Sequence, residues 1–236
     1  TVSDRMVQTM VNWGVTHVFG MVGHSNLGLA DALRLREEQG SVRYIGIRHE
    51  GAAAFAASAY GKLTGRIGAC FAIAGPGSTN LLTGLYDAKT GRAPVIALSG
   101  QVPSKALGHG AFQDLDLEAA FADVAQFSVT VLPDAEHADL AARAAKSALV
   151  NAGVSHLVLP DEVQVQPARD EQVVGPDGRL SRQAPRPDAN VVSTAVRLLL
   201  EARRPVLIVG HGAREAEVEV QRLAEHLSAP IVTTFK

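Results

Sequence analysis

The sequence has one cysteine, Cys70, in 236 residues, which excludes an internal disulfide and any zinc site built on a Cys pair. Cys70 lies inside the apolar run Ile67 to Ile73, where an inert thiol packs as a small hydrophobe. Charge of one sign is also lacking: 22 basic against 24 acidic residues give 22 − 24 = −2, with no block of like charge. Nothing in that balance draws the chain to nucleic acid or to an anionic membrane surface. No apolar run approaches the ~20 residues of a membrane span. The opening residues, TVSDRMVQTM, carry no signal-peptide pattern, so a cytoplasmic protein is expected. The histidines show no metal-ligand spacing, and no metal ligand is assigned. There is no internal repeat.

Hydrophobic residues make up 47% of the chain and charged ones 19%, enough apolar material for a substantial core. Ser3 followed by Met6, Val7, Met10 and Val11 predicts a capped helix. Strand-like runs follow at Val15–Met21, Val42–Ile47, Ile67–Ile73, Pro94–Ser99, Phe127–Val131 and His156–Leu159. Helical spacings lie between them at Leu27–Glu38, Gly51–Leu63, Leu81–Ala88 and His137–Asn151. This alternation predicts an α/β fold: a doubly wound, mostly parallel sheet with helices on both faces. Residues 1–167 are assigned to that domain. Residues 168–188 read as a linker, the tract around them carrying Pro167, Pro176, Pro185 and Pro187 with many charges. Residues 189–236 start a second α/β domain: helix Ala189–Ala202, strand Pro205–Val209, helix Glu215–Leu227 and strand Pro230–Thr234. Two strands and two helices leave a sheet face or edge open. The second domain is therefore expected to be truncated, or to have its remainder outside this sequence.

In open parallel sheets ligands bind outside the carboxyl ends of the strands. The loops at that edge are Gly20–Gly28, Arg48–Gly51, Ala74–Asn80 and Gly100–Gln113. Glu50 stands there, at the start of a helix of almost nothing but alanine. An acidic residue in a first helical turn gains ~0.3–1 kcal/mol from the helix dipole, which alone would account for it. The small residues on every face, however, predict a helix packed all round and a poorly solvated first turn. A carboxyl in that setting suits proton transfer or a short hydrogen bond to a ligand.

The segments RHEGAAAFAASAYGKLTG, AGPGSTNLLTGLYDAKTGRAPVIALSGQVP and GAFQDLD closely resemble thiamine-diphosphate-dependent enzymes of the pyruvate oxidase and acetolactate synthase group. The resemblance covers Val2 to about Pro167, the aminopyrimidine-binding domain of that family. It continues over Ala189–Lys236, the start of its central domain. It implies that Glu50 hydrogen-bonds the pyrimidine ring nitrogen of the cofactor and so promotes loss of the thiazolium C2 proton. It implies further that the loop of Gly75, Pro76, Gly77 and Asn80 positions the pyrimidine. An ordinary βα turn with a Ser or Thr cap is the alternative for that loop. Phe112 and Gln113 would line the substrate side, followed here by Asp114 where a glutamate is usual. Gly23 and His24 lie in GMVGHSN. Val22 stands where a proline is frequent and His24 where Asp or Ser is frequent. His24 is either a solvated loop residue or a proton shuttle at the reacting carbon.

Gly210, Gly212 and Arg214, in VGHGAR, lie after a strand and before a helix. A tight βα turn accounts for them, while a similar segment touches FAD in pyruvate oxidases and acetolactate synthases; the resemblance allows a flavin. The family holds Mg²⁺ on a third domain through a Gly-Asp-Gly motif with a downstream Asn, and that motif is missing here. The chain as given is thus expected to bind the cofactor weakly or not at all.

Three readings follow. The first is thiamine-diphosphate-dependent decarboxylation of a 2-oxo acid, pyruvate, with electrons passed to FAD. The second is an acetolactate synthase-type carboligase. The third is a non-catalytic fragment or assembly module. The resemblance also implies a homo-oligomer, dimer or tetramer, with active sites between subunits.

Overall fold

The computed structural model describes residues 1–181 and 186–235. The chain divides into two compact units, one over Thr1–Ser181 and the other over the remainder.

The first unit runs α1 (Val2–Asn12), β1 (His17–Gly20), α2 (Leu27–Glu38), β2 (Arg43–Gly46), α3 (Glu50–Thr64), β3 (Gly68–Ala72), α4 (Pro76–Asn80), α5 (Leu82–Thr90) and β4 (Val95–Gln101). It continues with α6 (Leu117–Phe121), β5 (Ala125–Thr130), α7 (His137–Asn151), β6 (Val154–Pro160) and α8 (Asp161–Gln164). The six strands form one sheet in the order β2-β1-β3-β4-β6-β5, and every pairing is parallel.

The predicted doubly wound sheet is present, and its chirality explains which helix lies on which face. The moves β1 to β2 and β5 to β6 run one way across the sheet; their helices, α2 and α7, join α1 over one apolar cluster. The moves β2 to β3, β3 to β4 and β4 to β5 run the other way; α3, α5 and α6 cover the opposite cluster. A single crossover hand requires that split. Along β3, Ala69 and Phe71 face the first cluster while Cys70 and Ala72 face the second, the period of a strand buried on both sides. Burial pushes the Cys70 thiol up to about 12 and leaves it inert.

Several local expectations change. Thr1, not Ser3, caps α1: its Oγ1 accepts from Asp4 N at 3.2 Å, and Ser3 is buried inside the helix. The helix expected over Leu81–Ala88 is α5, and a separate short helix, α4, stands before it in the stretch read as a loop. α6 and α8 were not foreseen. Each is five residues or fewer, too short to show a periodicity.

The alanine helix α3 is not packed all round within this chain. Its buried side carries Ala53, Ala54, Ala57 and Ser58, whereas Ala52, Phe55, Ala59 and Leu63 form an exposed stripe. The small residues of the buried side serve close approach. A Cβ on Gly68 of β3 would stand 2.3 Å from Ala57 O, and one on Gly84 of α5 would stand 2.6 Å from Ala54 Cβ.

The tract read as a linker from residue 168 is built into this unit as far as residue 181. Arg5 Nη1 donates to Glu171 O at 2.7 Å. The Glu171 carboxylate in turn accepts from His137 N at 3.1 Å and Ala138 N at 2.8 Å, closing the amino end of α7. Val174 and Leu180 lie against the core. Residues 182–185 of the expected linker, Pro185 among them, and Lys236 of the expected second domain lie outside the described residues.

The second unit comprises α9 (Ala189–Glu201), β7 (Leu207–Val209), a 3₁₀ turn over His211–Ala216, α10 (Glu217–Leu227) and β8 (Ile231–Thr233). Its two strands pair in parallel. No described helix of either unit is long and apolar enough to cross a membrane.

Candidate functional site at the carboxyl edge of the sheet

β1 and β3 are neighbours, yet the chain leaves β1 toward β2 on one side and leaves β3 toward β4 on the other. The loops after them therefore diverge and leave a crevice between them. Glu50, which opens α3 directly after β2, belongs to the same edge.

Glu50 is only 5% exposed although its neighbour His49 is exposed. His49 is the cap of α3, its Nδ1 accepting from Gly51 N at 3.1 Å. Capping by His49 puts Glu50 at the first helical position and turns its side chain inward. There Oε2 accepts from Asn80 Nδ2 at 3.1 Å. Oε1 lies on the side of Gly77, where an added Cβ would stand 3.3 Å from Oε1 and 2.5 Å from Ile73 Cγ1. One carboxylate oxygen is thus held by Asn80, and the other lies near Gly77, whose Cβ direction is filled by the Ile73 side chain.

The second loop takes a sharp turn at Gly75, with φ +63. A Cβ there would meet Gln113 Cβ at 2.9 Å and Gln113 O at 3.0 Å. Gln113 itself holds φ 67, a left-handed conformation few side-chain-bearing residues adopt. The Gly75 and Gln113 loops are therefore stacked backbone against backbone. Asp114 closes its own loop by accepting from Gly108 N at 2.8 Å. Phe112 is 88% exposed.

The loop after β1 is ordered by Asn26: Gly23 N donates to its Oδ1 at 2.9 Å, and its Nδ2 donates to Met21 O at 3.0 Å. Ser25 ties this loop to the next, its Oγ accepting from Ala74 N at 2.8 Å. His24 opens the 3₁₀ turn between them and is exposed. The structure thus brings Glu50, Gly75, Gly77, Asn80 and Gln113 into one contiguous set, with Pro76 exposed on its rim and Gly23 and His24 on the adjoining loop. Ser25 and Asn26 escaped the sequence reading. The only signal was their place in a Ser-Asn pair after a glycine, which also describes any ordinary turn.

Gly210, Gly212 and Arg214 lie in the second unit. Gly210 precedes the 3₁₀ turn, and Gly210 and Arg214 line a cleft of about 470 Å³ with Val209, Glu217 and Thr233. Among the described residues no group of three His, Cys, Asp or Glu side chains is gathered to hold a metal.

A buried carboxyl at the sheet's switch point, steadied by the Asn80 amide, is the feature of this edge that can take part in ligand or proton chemistry. The chain belongs to the thiamine pyrophosphate enzymes: residues 1–120 match the family's N-terminal TPP binding domain and residues 192–236 its central domain. Over all of its length it is 37% identical to YdaP of Bacillus subtilis, provisionally named a thiamine pyrophosphate-containing protein. Over 98% of its length it is 35% identical to a pyruvate oxidase of Lactiplantibacillus plantarum, and over 98% it is 33% identical to an acetolactate synthase of Arthrospira platensis. The chain spans 40%, 38% and 41% of those relatives' own lengths.

Proposed function

We propose that this chain forms the pyrimidine-binding domain, residues 1–167, and the opening of the central domain, residues 189–236, of a cytoplasmic enzyme that decarboxylates pyruvate or a close 2-oxo acid and passes the electrons to FAD. The observation that carries the reading is the Glu50 carboxylate, buried and held through one oxygen by Asn80.

Toward thiamine diphosphate the residues present offer a buried carboxyl for a pyrimidine ring nitrogen, with Oε2 already held by Asn80. When bound, that cofactor supplies the carbon nucleophile for the substrate carbonyl, and the protein supplies orientation and protons. Glu50 would meet the pyrimidine ring nitrogen through Oε1 and exchange a proton with it, in a setting shielded from water. Asn80 sets the plane of the carboxylate. Gly75, Pro76 and Gly77 would border the ring, Gln113 and Phe112 would lie toward the substrate, and His24 would move a proton at the reacting carbon. Mg²⁺ is assigned to a domain beyond these residues.

The cleft at Gly210 and Arg214 supports the flavin, with Gly212 in the same turn. The exposed stripe of Ala52, Phe55, Ala59 and Leu63 on α3 supports a homo-oligomer, in which a second copy covers this apolar face beside Glu50.

The runner-up is an acetolactate synthase-type carboligase, favoured by the Ser78-Thr79-Asn80 ending of the glycine loop and by the acetolactate synthase among the relatives. Assay of the complete protein with pyruvate decides between them. CO₂ release with reduction of an electron acceptor and no acetolactate supports the oxidase. Acetolactate formed without an acceptor supports the carboligase. Absence of both, with cofactor and Mg²⁺ supplied, overturns the enzyme reading and leaves an assembly module.

A further inference from the structure

Gln164, the last residue of α8, is fully buried and uses both donors and the acceptor oxygen of its side-chain amide. Nε2 donates to Leu159 O at 2.9 Å and to Ser25 O at 2.8 Å, while Oε1 accepts from Leu29 N at 3.0 Å. Two carbonyls and one N–H admit a single orientation of the amide. Ser25 and Leu29 bracket the turn from the β1 loop into α2, and Leu159 lies in β6. A side chain 139 residues downstream of Ser25 thereby pins the loop that carries Gly23 and His24.

Two close approaches make room for it. A Cβ on Gly28 would stand 2.7 Å from Gln164 Cβ. A Cβ on Gly100 would stand 2.4 Å from Ser25 O, the carbonyl that Gln164 holds. Ser25 passes the constraint on, since its Oγ accepts from Ala74 N, next to Gly75. Burying an amide gains little net stability over an apolar residue of the same volume, because its bonds to water are lost as protein bonds form. What a glutamine supplies there that a methionine does not is direction.

We infer that Gln164 is a positioning residue for the reaction: it fixes the path of the loop between β1 and α2, and with it the place at which His24 stands beside the crevice. The inference rests on the functional reading of His24 given above. Gln164 itself touches neither cofactor nor substrate in this arrangement.

The test uses the complete protein with thiamine diphosphate and Mg²⁺. Gln164→Met keeps the volume and removes both donor and acceptor. Gln164→Glu keeps the acceptor for Leu29 N but sets a carboxylate against two carbonyls, and Gly100→Ala displaces Ser25 O. Amide hydrogen exchange over residues 21–29 is expected to rise about tenfold or more in Gln164→Met while that of β3 stays put. The kcat is expected to fall roughly tenfold, with KM for the cofactor within twofold. Gly100→Ala should give the same signature, and it carries the test if Gln164→Met does not fold. Unchanged exchange over 21–29, or raised exchange with kcat within twofold of wild type, overturns the inference. The His24→Ala background separates it from the reading beneath it. If His24→Ala is itself impaired, Gln164→Met should cost little more there, and a full further loss overturns the inference. An inert His24→Ala overturns the role of His24 alone, and exchange and kcat still judge Gln164.

Discussion

The amide of Asn80 donates to Oε2 of Glu50 across 3.1 Å, joining the end of one helix to the start of another thirty residues earlier in the chain. The bond makes the two carboxylate oxygens unequal. One belongs to the protein, and the other borders Gly77.

Glu50→Gln keeps the shape and leaves a carbonyl oxygen to accept from Asn80, but it removes the titrating group. Turnover of the complete protein should fall by about 10²–10⁴-fold, the usual worth of a positioned proton-transfer group. Circular dichroism and melting temperature should stay near wild type, since the side-chain shape is kept and no cavity is made. Turnover within a few-fold of wild type removes Glu50 from the chemistry.

Asn80→Ala and Asn80→Asp separate steadying from charge. The alanine variant frees the carboxylate plane and should lower kcat about tenfold. The aspartate removes the donor and sets a second acid against Glu50 Oε2, so it should lower kcat further than the alanine does. Equal losses in the two variants would show that charge at this position does not matter, and wild-type kcat in both would show that Asn80 acts through neither.

Gly75→Ala forces a side chain onto a residue at φ +63 and drives its Cβ to 2.9 Å from Gln113 Cβ. A destabilisation of about 1–3 kcal/mol is expected from the backbone conformation alone. Gln113 must also move, so KM for the cofactor should rise with the loss in melting temperature. A variant that melts and binds like wild type refutes the stacking of these two loops.

His156 is buried in β6 between Ser99 Oγ, 2.9 Å from Nε2, and Ser128 Oγ, 2.9 Å from Nδ1, with its ring stacked 3.8 Å from Phe121. Burial alone depresses its pKa to about 3 from 6.5. Between those values the unfolded chain binds a proton that the native protein refuses, so stability falls as pH drops through 6.5 toward 3. From pH 7 to pH 5 this residue should cost about 2 kcal/mol, and His156→Asn should lose that share of the acid sensitivity. Melting of the complete protein and the variant at both pH values measures it. Parallel losses in the two proteins would contradict a neutral buried ring.

The strands were legible because buried parallel strands are continuous apolar runs: Ile67–Ile73 contains β3, and Pro94–Ser99 covers β4 up to its last two residues. Glu50 was legible because a lone acid stands out at the head of a helix of small apolar residues. The exposure of Phe55 and Leu63 was not, since alanine-rich periodicity cannot tell a helix covered by its own chain from one with a bare face. Glu171 looked like one more charge in a proline-bearing tract, and only the folded chain sets it at the head of α7.

By itself, the order of residues determined a parallel sheet with helices on both faces and the loops that must meet at its carboxyl edge, because crossover length and strand hydrophobicity are local properties. Tertiary structure alone decided which oxygen of Glu50 is held, that Gly75 lies against Gln113, and that Gln164 reaches back to Ser25. These are contacts between segments 30 to 139 residues apart. Their geometry depends on how the strands are ordered in the sheet, which no local pattern encodes.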